Sequence, residues 1–188
     1  STFANKGVYV EPIFISRIED NNGNIIKNFV PERNEALSEE TAYAMLSLMQ
    51  GVVDGDYSDY FDKKLGTGVR LRFKYGFKNE IAGKTGTTQN NSDGWFIGLT
   101  PDLVTGTWVG AEDRAIRFSA TYYGQGANTG LPIWALYMNK VYADSALGVS
   151  AEPFEKPEKI TIELDCDKWE RENSSSTFDG DGGFDFDQ

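Results

Sequence analysis

Three strand-like segments stand almost end to end at residues 80–88, 94–100 and 103–111, and this spacing constrains the fold more than any other feature. Asn90-Asn91-Ser92-Asp93 and Pro101-Asp102 are the turns between them. Residues of these types supply turn conformations. Parallel neighbours need a crossover of a dozen or more residues, so connections this short force an antiparallel arrangement. Trp95, Phe96, Ile97, Leu99, Val104, Trp108 and Val109 place apolar groups on both sides of the pleat, as in strands covered on both faces. Trp95 and Trp108 therefore read as core and not as ligand platforms. Gly83, Gly86, Gly94, Gly98, Gly106 and Gly110 interrupt the run. A glycine weakens a strand unless something approaches its backbone closely.

The flanking segments predict an α/β (α+β) fold, an antiparallel sheet with packed helices. Residues 7–30 read as a β-hairpin, with strands at 8–19 and 24–30 around the Asp20-Asn21-Asn22-Gly23 turn. Pro12 points to an edge strand or a bulge. Residues 38–53 read as a helix capped by Ser38, with Ala42, Met45, Leu46, Met49 and Val53 on one face. Residues 54–79 read as a loop with a short helix near 57–64, a turn or close approach at Gly66-Thr67-Gly68, and weak strand alternation at 70–75. Residues 131–144 read as a helix with Pro132 at its start. Its stripe of Ile133, Leu136, Tyr137, Lys140 and Val141 is expected beside the three-stranded unit. Residues 1–150 form the expected body, and 151–188 an acidic, largely disordered tail with one short strand at 160–164. From Glu152 onward there are 12 acidic and 4 basic residues, against 17 and 14 before it.

Composition excludes several chemistries. The chain has no histidine, which removes Ser-His-Asp and Cys-His catalysis and the commonest metal ligand. Cys166 is alone and can form neither an internal disulfide nor a zinc site. Nucleophilic chemistry here needs a lysine, carboxylate or hydroxyl as its base, and no cofactor or metal is implied. The net charge of −11 argues against nucleic acid as a partner. No run approaches the roughly 20 apolar residues of a membrane helix. The piece is expected to be soluble, with any anchor upstream.

The chemistry-bearing string is Ala82-Gly83-Lys84-Thr85-Gly86-Thr87-Thr88. A lysine stands on a strand beside several hydroxyls, and Gly86 leaves room for a ligand against the backbone. An ammonium, hydroxyl donors and a backbone N–H suit an anionic group. A strand edge can also pair with an extended peptide. Together they suggest a site for a peptide-like ligand ending in a carboxylate. The bland reading is a glycine-containing core strand with an exposed lysine. A phosphate-binding loop needs a glycine where Lys78 stands and a helix after Thr85, and neither condition is met.

The same string, then Asp93-Gly94-Trp95-Phe96-Ile97-Gly98-Leu99-Thr100-Pro101 and Val104-Thr105-Gly106-Thr107-Trp108-Val109-Gly110, resembles the transpeptidase domain of class A penicillin-binding proteins. Thr2-Phe3-Ala4-Asn5-Lys6-Gly7, the strand with Pro12, and Gly66-Thr67-Gly68 add to the likeness, which runs over about residues 1–145. Lys-Thr-Gly is a known motif of that family. The resemblance implies a partial β-lactamase/transpeptidase-like fold, acting on D-Ala-D-Ala stem peptides of peptidoglycan and binding β-lactam antibiotics. It implies Lys84 and Thr87 as catalytic. Lys84 would supply charge and aid proton movement, and the Thr87 N–H would be an oxyanion donor. Lys84, Thr85, Gly86, Thr87 and Thr88 would bind substrate, with the Thr85 and Thr87 hydroxyls on its carboxylate. The family's Ser-x-x-Lys and Ser-x-Asn motifs are absent: no serine has lysine three places on or asparagine two places on. Their usual place is upstream, so this chain is expected to be the C-terminal half of the domain. The upstream half of the same protein would be its partner, and the 188-residue chain alone would be inactive. A periplasmic or extracytoplasmic location follows, in a parent anchored in the cytoplasmic membrane and carrying a glycosyltransferase domain. A related carboxypeptidase, β-lactamase or penicillin-sensing domain, or a non-enzymatic binding module, remain alternatives. Glu112 and Asp113 read as a solvated turn, and Asp179, Asp181 and Asp185 as part of the flexible tail.

Overall fold

The structure, a computed structural model, describes residues 1–58, 63–165 and 168–169. The elements in order are β1 (Val8–Val10), β2 (Arg17–Glu19), β3 (Ile25–Asn28), β4 (Arg33–Glu35), α1 (Glu39–Asp54), β5 (Asp56–Ser58), β6 (Lys63–Leu65), α2 (Arg70–Phe73), β7 (Ala82–Thr87), β8 (Asp93–Leu99), β9 (Val104–Gly110), α3 (Thr121–Gly124) and α4 (Gly130–Ala143). β7, β8 and β9 form the expected antiparallel sheet in that order, with Lys84 opposite Ile97 and Trp95 opposite Trp108.

Helix α4 covers the face of this sheet that carries Phe96 and Gly98. Trp134 is fully buried and lies edge-on to Phe96, with ring centroids 5.4 Å apart. A Cβ on Gly98 would stand 2.4 Å from the Trp134 ring, so the bare glycine backbone lets the indole pack directly on the strand. Val53, Leu71, Phe77, Ile81, Leu131, Ala135, Met138 and Val141 complete this core. A smaller cluster of Leu46, Ala82, Leu99 and Phe154 lies on the other face, under α1. Helix α1 starts as expected: the Ser38 hydroxyl accepts the Thr41 N–H, and Gly55 ends it at φ 68°.

Expectations for five parts of the structure differ from what is observed. Residues 8–19 do not form one strand. β1 pairs with β4, while β2 and β3 make a separate hairpin around the Asp20–Gly23 turn. The chain breaks between β1 and β2 around Pro12, whose missing N–H interrupts a ladder. No helix occupies the described parts of 57–64. There β5 pairs with β6, and the Leu65 carbonyl would meet a Cβ on Gly55 at 2.8 Å, so the return strand closes against the turn after α1. Residues 70–73 are one helical turn in which Leu71 is buried and Phe73 is exposed.

The third difference is the far face of the sheet. Beyond Ala82 and Leu99 it is open, and Trp95, Ile97 and Trp108 are 43%, 41% and 46% exposed. The two tryptophans pack on each other on a half-exposed surface and are not core. Fourth, α4 packs through Leu131, Trp134, Ala135, Met138 and Val141. The stripe of Ile133, Leu136, Tyr137 and Lys140 faces outward, sharing only Val141 with the packed side.

Fifth, the chain after residue 150 stays on the body for a further dozen residues. Phe154 is buried, and its N–H donates to Glu80 Oε2 at 2.9 Å, where Gln50 Nε2 also donates. Lys6 bridges Glu39 and Glu155. Residues 160–164 form no strand, because the Thr161 and Ile162 N–H groups go to the Glu40 carboxylate at the start of α1 and not to a neighbouring strand. Cys166 and residues 170–188 lie outside the described residues.

Candidate active site

Strand β7 is an edge of the sheet, so one side of its backbone is free of strand partners among the described residues. Its register separates the motif onto two faces. Lys84 and Gly86 share the face of Ile97 and Trp95, while Thr85 and Thr87 share that of Phe96 and Gly94. Lysine and threonines can therefore act together only on something lying along the free edge. Lys84 is exposed, and its Nζ donates to the Thr85 carbonyl at 2.8 Å.

Two loops flank that edge. Thr85 Oγ1 donates to Thr67 Oγ1 at 3.0 Å, joining the strand to the Gly66-Thr67-Gly68 turn. Gly68 donates its N–H to Val52 at 2.9 Å, and Cβ atoms on Gly66 or Gly68 would crowd the Val52 carbonyl, so this turn is held against the end of α1. Further along the strand, the Gly126 N–H donates to Thr87 Oγ1 at 3.1 Å. A Cβ on Gly126 would lie 2.1 Å from the Trp95 carbonyl oxygen and 2.5 Å from that of Gly86, so the loop touches backbone directly. Arg70 Nη1 donates to Ala127 O and to Asn128 Oδ1, tying the two flanking loops together.

The hydroxyls are not equivalent. Thr87 Oγ1 accepts from Gly126, which leaves its own O–H able to donate to a further acceptor. The Thr85 proton is directed at Thr67. Thr88 turns inward instead: its Oγ1 donates to Asp93 Oδ2 at 3.0 Å and lies 2.9 Å from Ser92 Oγ. Asp93 is buried, and its carboxylate also accepts from Ser92 Oγ and Trp108 Nε1. Hydrogen bonds from Ser92, then Thr88 and Trp108, hold its pKa below the usual aspartate value, against a weaker opposing effect of burial. Glu112 and Asp113 are exposed beyond β9, and the Asp113 carboxylate caps its own turn through the Ala115 N–H. Asp179, Asp181 and Asp185 lie outside the described residues.

Sequence reasoning missed Thr67, Gly126 and Asp93 as parts of this site. Gly66-Thr67-Gly68 stood out as a motif without a role, and Asp93 stood out only as a turn residue.

The family described as the penicillin binding protein transpeptidase domain matches residues 1–115. Penicillin-binding protein 1A of Aquifex aeolicus is 34% identical over 139 residues, covering 74% of this chain and 17% of that protein. Penicillin-binding protein 1A of Pseudomonas aeruginosa is 36% identical over 126 residues, covering 66% of this chain and 13% of that protein. The chain thus spans less than a fifth of the length of these curated relatives. Among solved structures, Penicillin-Binding Protein 1A from Haemophilus influenzae superposes with a TM-score of 0.65 at 25% identity, over 85% of this chain and 26% of that one. A domain match over residues 1–115, relatives 34% and 36% identical, and a shared fold place this chain in the transpeptidase domain family of the class A penicillin-binding proteins.

Proposed function

We propose that this chain supplies the carboxylate-binding and oxyanion wall of a D,D-transpeptidase that cross-links peptidoglycan stem peptides. The observation that carries the reading is the free edge of β7, where Lys84, Gly86 and the Thr87 hydroxyl flank a backbone open to an extended ligand. A stem peptide ending in D-Ala-D-Ala would lie along this edge with its terminal carboxylate accepting from the Thr87 hydroxyl and, once it turns away from Thr67, from that of Thr85. The Lys84 ammonium would add charge, and the Thr87 N–H would donate to the developing oxyanion. A serine hydroxyl attacks the penultimate carbonyl, its proton passes to the nitrogen of the departing D-alanine, and an ester remains on the serine. An amine from a second stem then attacks that ester, forming the new amide and returning a proton to the serine oxygen. These 188 residues contain no Ser-x-x-Lys or Ser-x-Asn sequence, and on this reading another segment of the same protein supplies both serines. β-Lactams would enter the same site as acylating analogues. The reaction places the site on the outer side of the cytoplasmic membrane. None of the described helices is long and apolar enough to cross a membrane.

Fluorescent penicillin tests this reading. The 188-residue chain alone should remain unlabelled. The protein that joins it to a Ser-x-x-Lys segment should label, and Lys84→Ala should slow labelling about 10- to 100-fold, the worth of a lost hydrogen bond from a charged group. Labelling of Lys84→Ala at the unmutated rate would refute the role of the strand.

A further inference from the structure

We infer that Asp93 is a positioning residue for the reaction, holding the Thr87–Thr88 end of β7 where its backbone donor must sit. The inference rests on the transpeptidase reading above. Thr88 follows the proposed oxyanion donor directly, and the chain then turns through Asn90 and Asn91, both at positive φ (61° and 58°). Asparagine tolerates the left-handed region, so these residues permit the turn but leave its position to external fixing. Asp93 provides it from both backbone and side chain. Its N–H donates to Thr88 Oγ1 at 3.0 Å, and its carbonyl accepts the Thr88 N–H at 3.1 Å. Its carboxylate closes the ring by accepting from Thr88 and from Ser92 Oγ at 2.9 Å.

A fifth contact anchors the clamp to the rest of the sheet. Trp108 Nε1, on β9, donates to Asp93 Oδ1 at 3.0 Å, so the carboxylate joins β8 and β9 to the residue that follows β7, at the end where Thr87 lies. Next to it Gly94, paired with Thr87, is pressed from the α4 face: a Cβ there would fall 2.0 Å from Thr129 Oγ1 and 3.0 Å from the Gly124 carbonyl. The end of the donor strand is thus clamped on one face, and the β8 residue paired with Thr87 is packed on the other. Bonds to an ionised carboxylate are the stronger kind, and an oxyanion donor is effective only when held in place beforehand.

The test uses Asp93→Asn, which keeps the shape but removes the charge, together with Thr88→Val and Thr88→Ser. In the protein that carries the serine, Asp93→Asn and Thr88→Val should lower the first-order acylation rate by penicillin about 10- to 100-fold, the scale of a small misplacement of a catalytic group. The dissociation constant of the initial complex should change less than threefold by the same reasoning, roughly, since the carboxylate contacts remain. Thr88→Ser should restore the rate, because its hydroxyl serves both Asp93 contacts. In the 188-residue chain, Asp93→Asn should speed amide hydrogen exchange at Thr88 and leave Met138, in the α4 core, unchanged. Equal losses in rate, affinity and Met138 protection would mean a general structural role and overturn the inference. So would an unmutated acylation rate in Asp93→Asn while Lys84→Ala is slow. Normal labelling in Lys84→Ala would remove the transpeptidase reading itself, and the inference with it.

Discussion

Phe154→Ala tests whether the chain beyond residue 150 belongs to the folded body. Phe154 is 7% exposed and packs with Leu46, Ala82 and Leu99, while Phe3, Ala4, Tyr43 and Met49 surround that cluster. Truncating a buried phenylalanine costs about 3–5 kcal/mol, the higher figures belonging to sites that cannot collapse. This cluster sits near the surface and its half-buried neighbours can move in, so the lower end applies, about 3 kcal/mol. For a chain of this size that corresponds to a fall in Tm of roughly 6–12 °C. Thermal unfolding of the 188-residue chain followed by circular dichroism gives the number. Because Ala82 begins the strand that carries Lys84, hydrogen exchange across β7 should rise in the same variant. A Tm change under about 2 °C, equivalent to less than about 1 kcal/mol, would show that residues 150–162 merely lie on the surface.

Two further outcomes follow from close contacts. Gly98→Ala drives a methyl group to 2.4 Å from the buried Trp134 ring and should cost about 1–3 kcal/mol, with a changed near-ultraviolet signal as the indole shifts; a neutral substitution would mean that α4 does not pack where described. The Asp93 clamp should also be sensitive to acid. A carboxylate whose folded pKa is depressed adds stability above the ordinary aspartate range and loses it as pH falls through the lower folded value. The partners facing it are Ser92, Thr88 and Trp108, with a smaller attraction from Arg114. The Trp108 indole proton, followed by NMR, should therefore titrate below the usual aspartate pKa and become flat in Asp93→Asn. A midpoint at or above the usual value would contradict the hydrogen-bonded arrangement.

The sheet was legible because its information is local. Short connections force antiparallel order, and apolar runs mark the strands. Helix α1 was legible for the same reason, through Ser38 and one apolar face. Helix α4 was found, but its packed side was not. It carries two apolar stripes, and what chooses Leu131, Trp134 and Met138 over Ile133, Leu136 and Tyr137 is a glycine on another element. Periodicity along one segment holds no record of that partner. Likewise an acidic composition after residue 151 suggested a tail, whereas one aromatic side chain and the Glu80 and Glu40 carboxylates suffice to fasten the stretch through Ile162. At the site, Lys84-Thr85-Gly86-Thr87 could be read directly. Thr67, Gly126 and Asp93 could not, because they matter through contacts made by other elements and not through their own chemistry.

The unequal depth of the indoles gives the chain its own optical probe. Trp134 is sealed under α4 and should emit at short wavelength, whereas Trp95 and Trp108 share a half-exposed face and should emit further to the red. Trp169 is also exposed, so a Trp169→Phe background isolates the sheet signal. In that background, acrylamide should quench the red component and spare the blue one. Any segment that settles on the open side of the sheet should then shield Trp95 and Trp108 while leaving Trp134 unaltered, so coverage of that face can be followed in real time without a label.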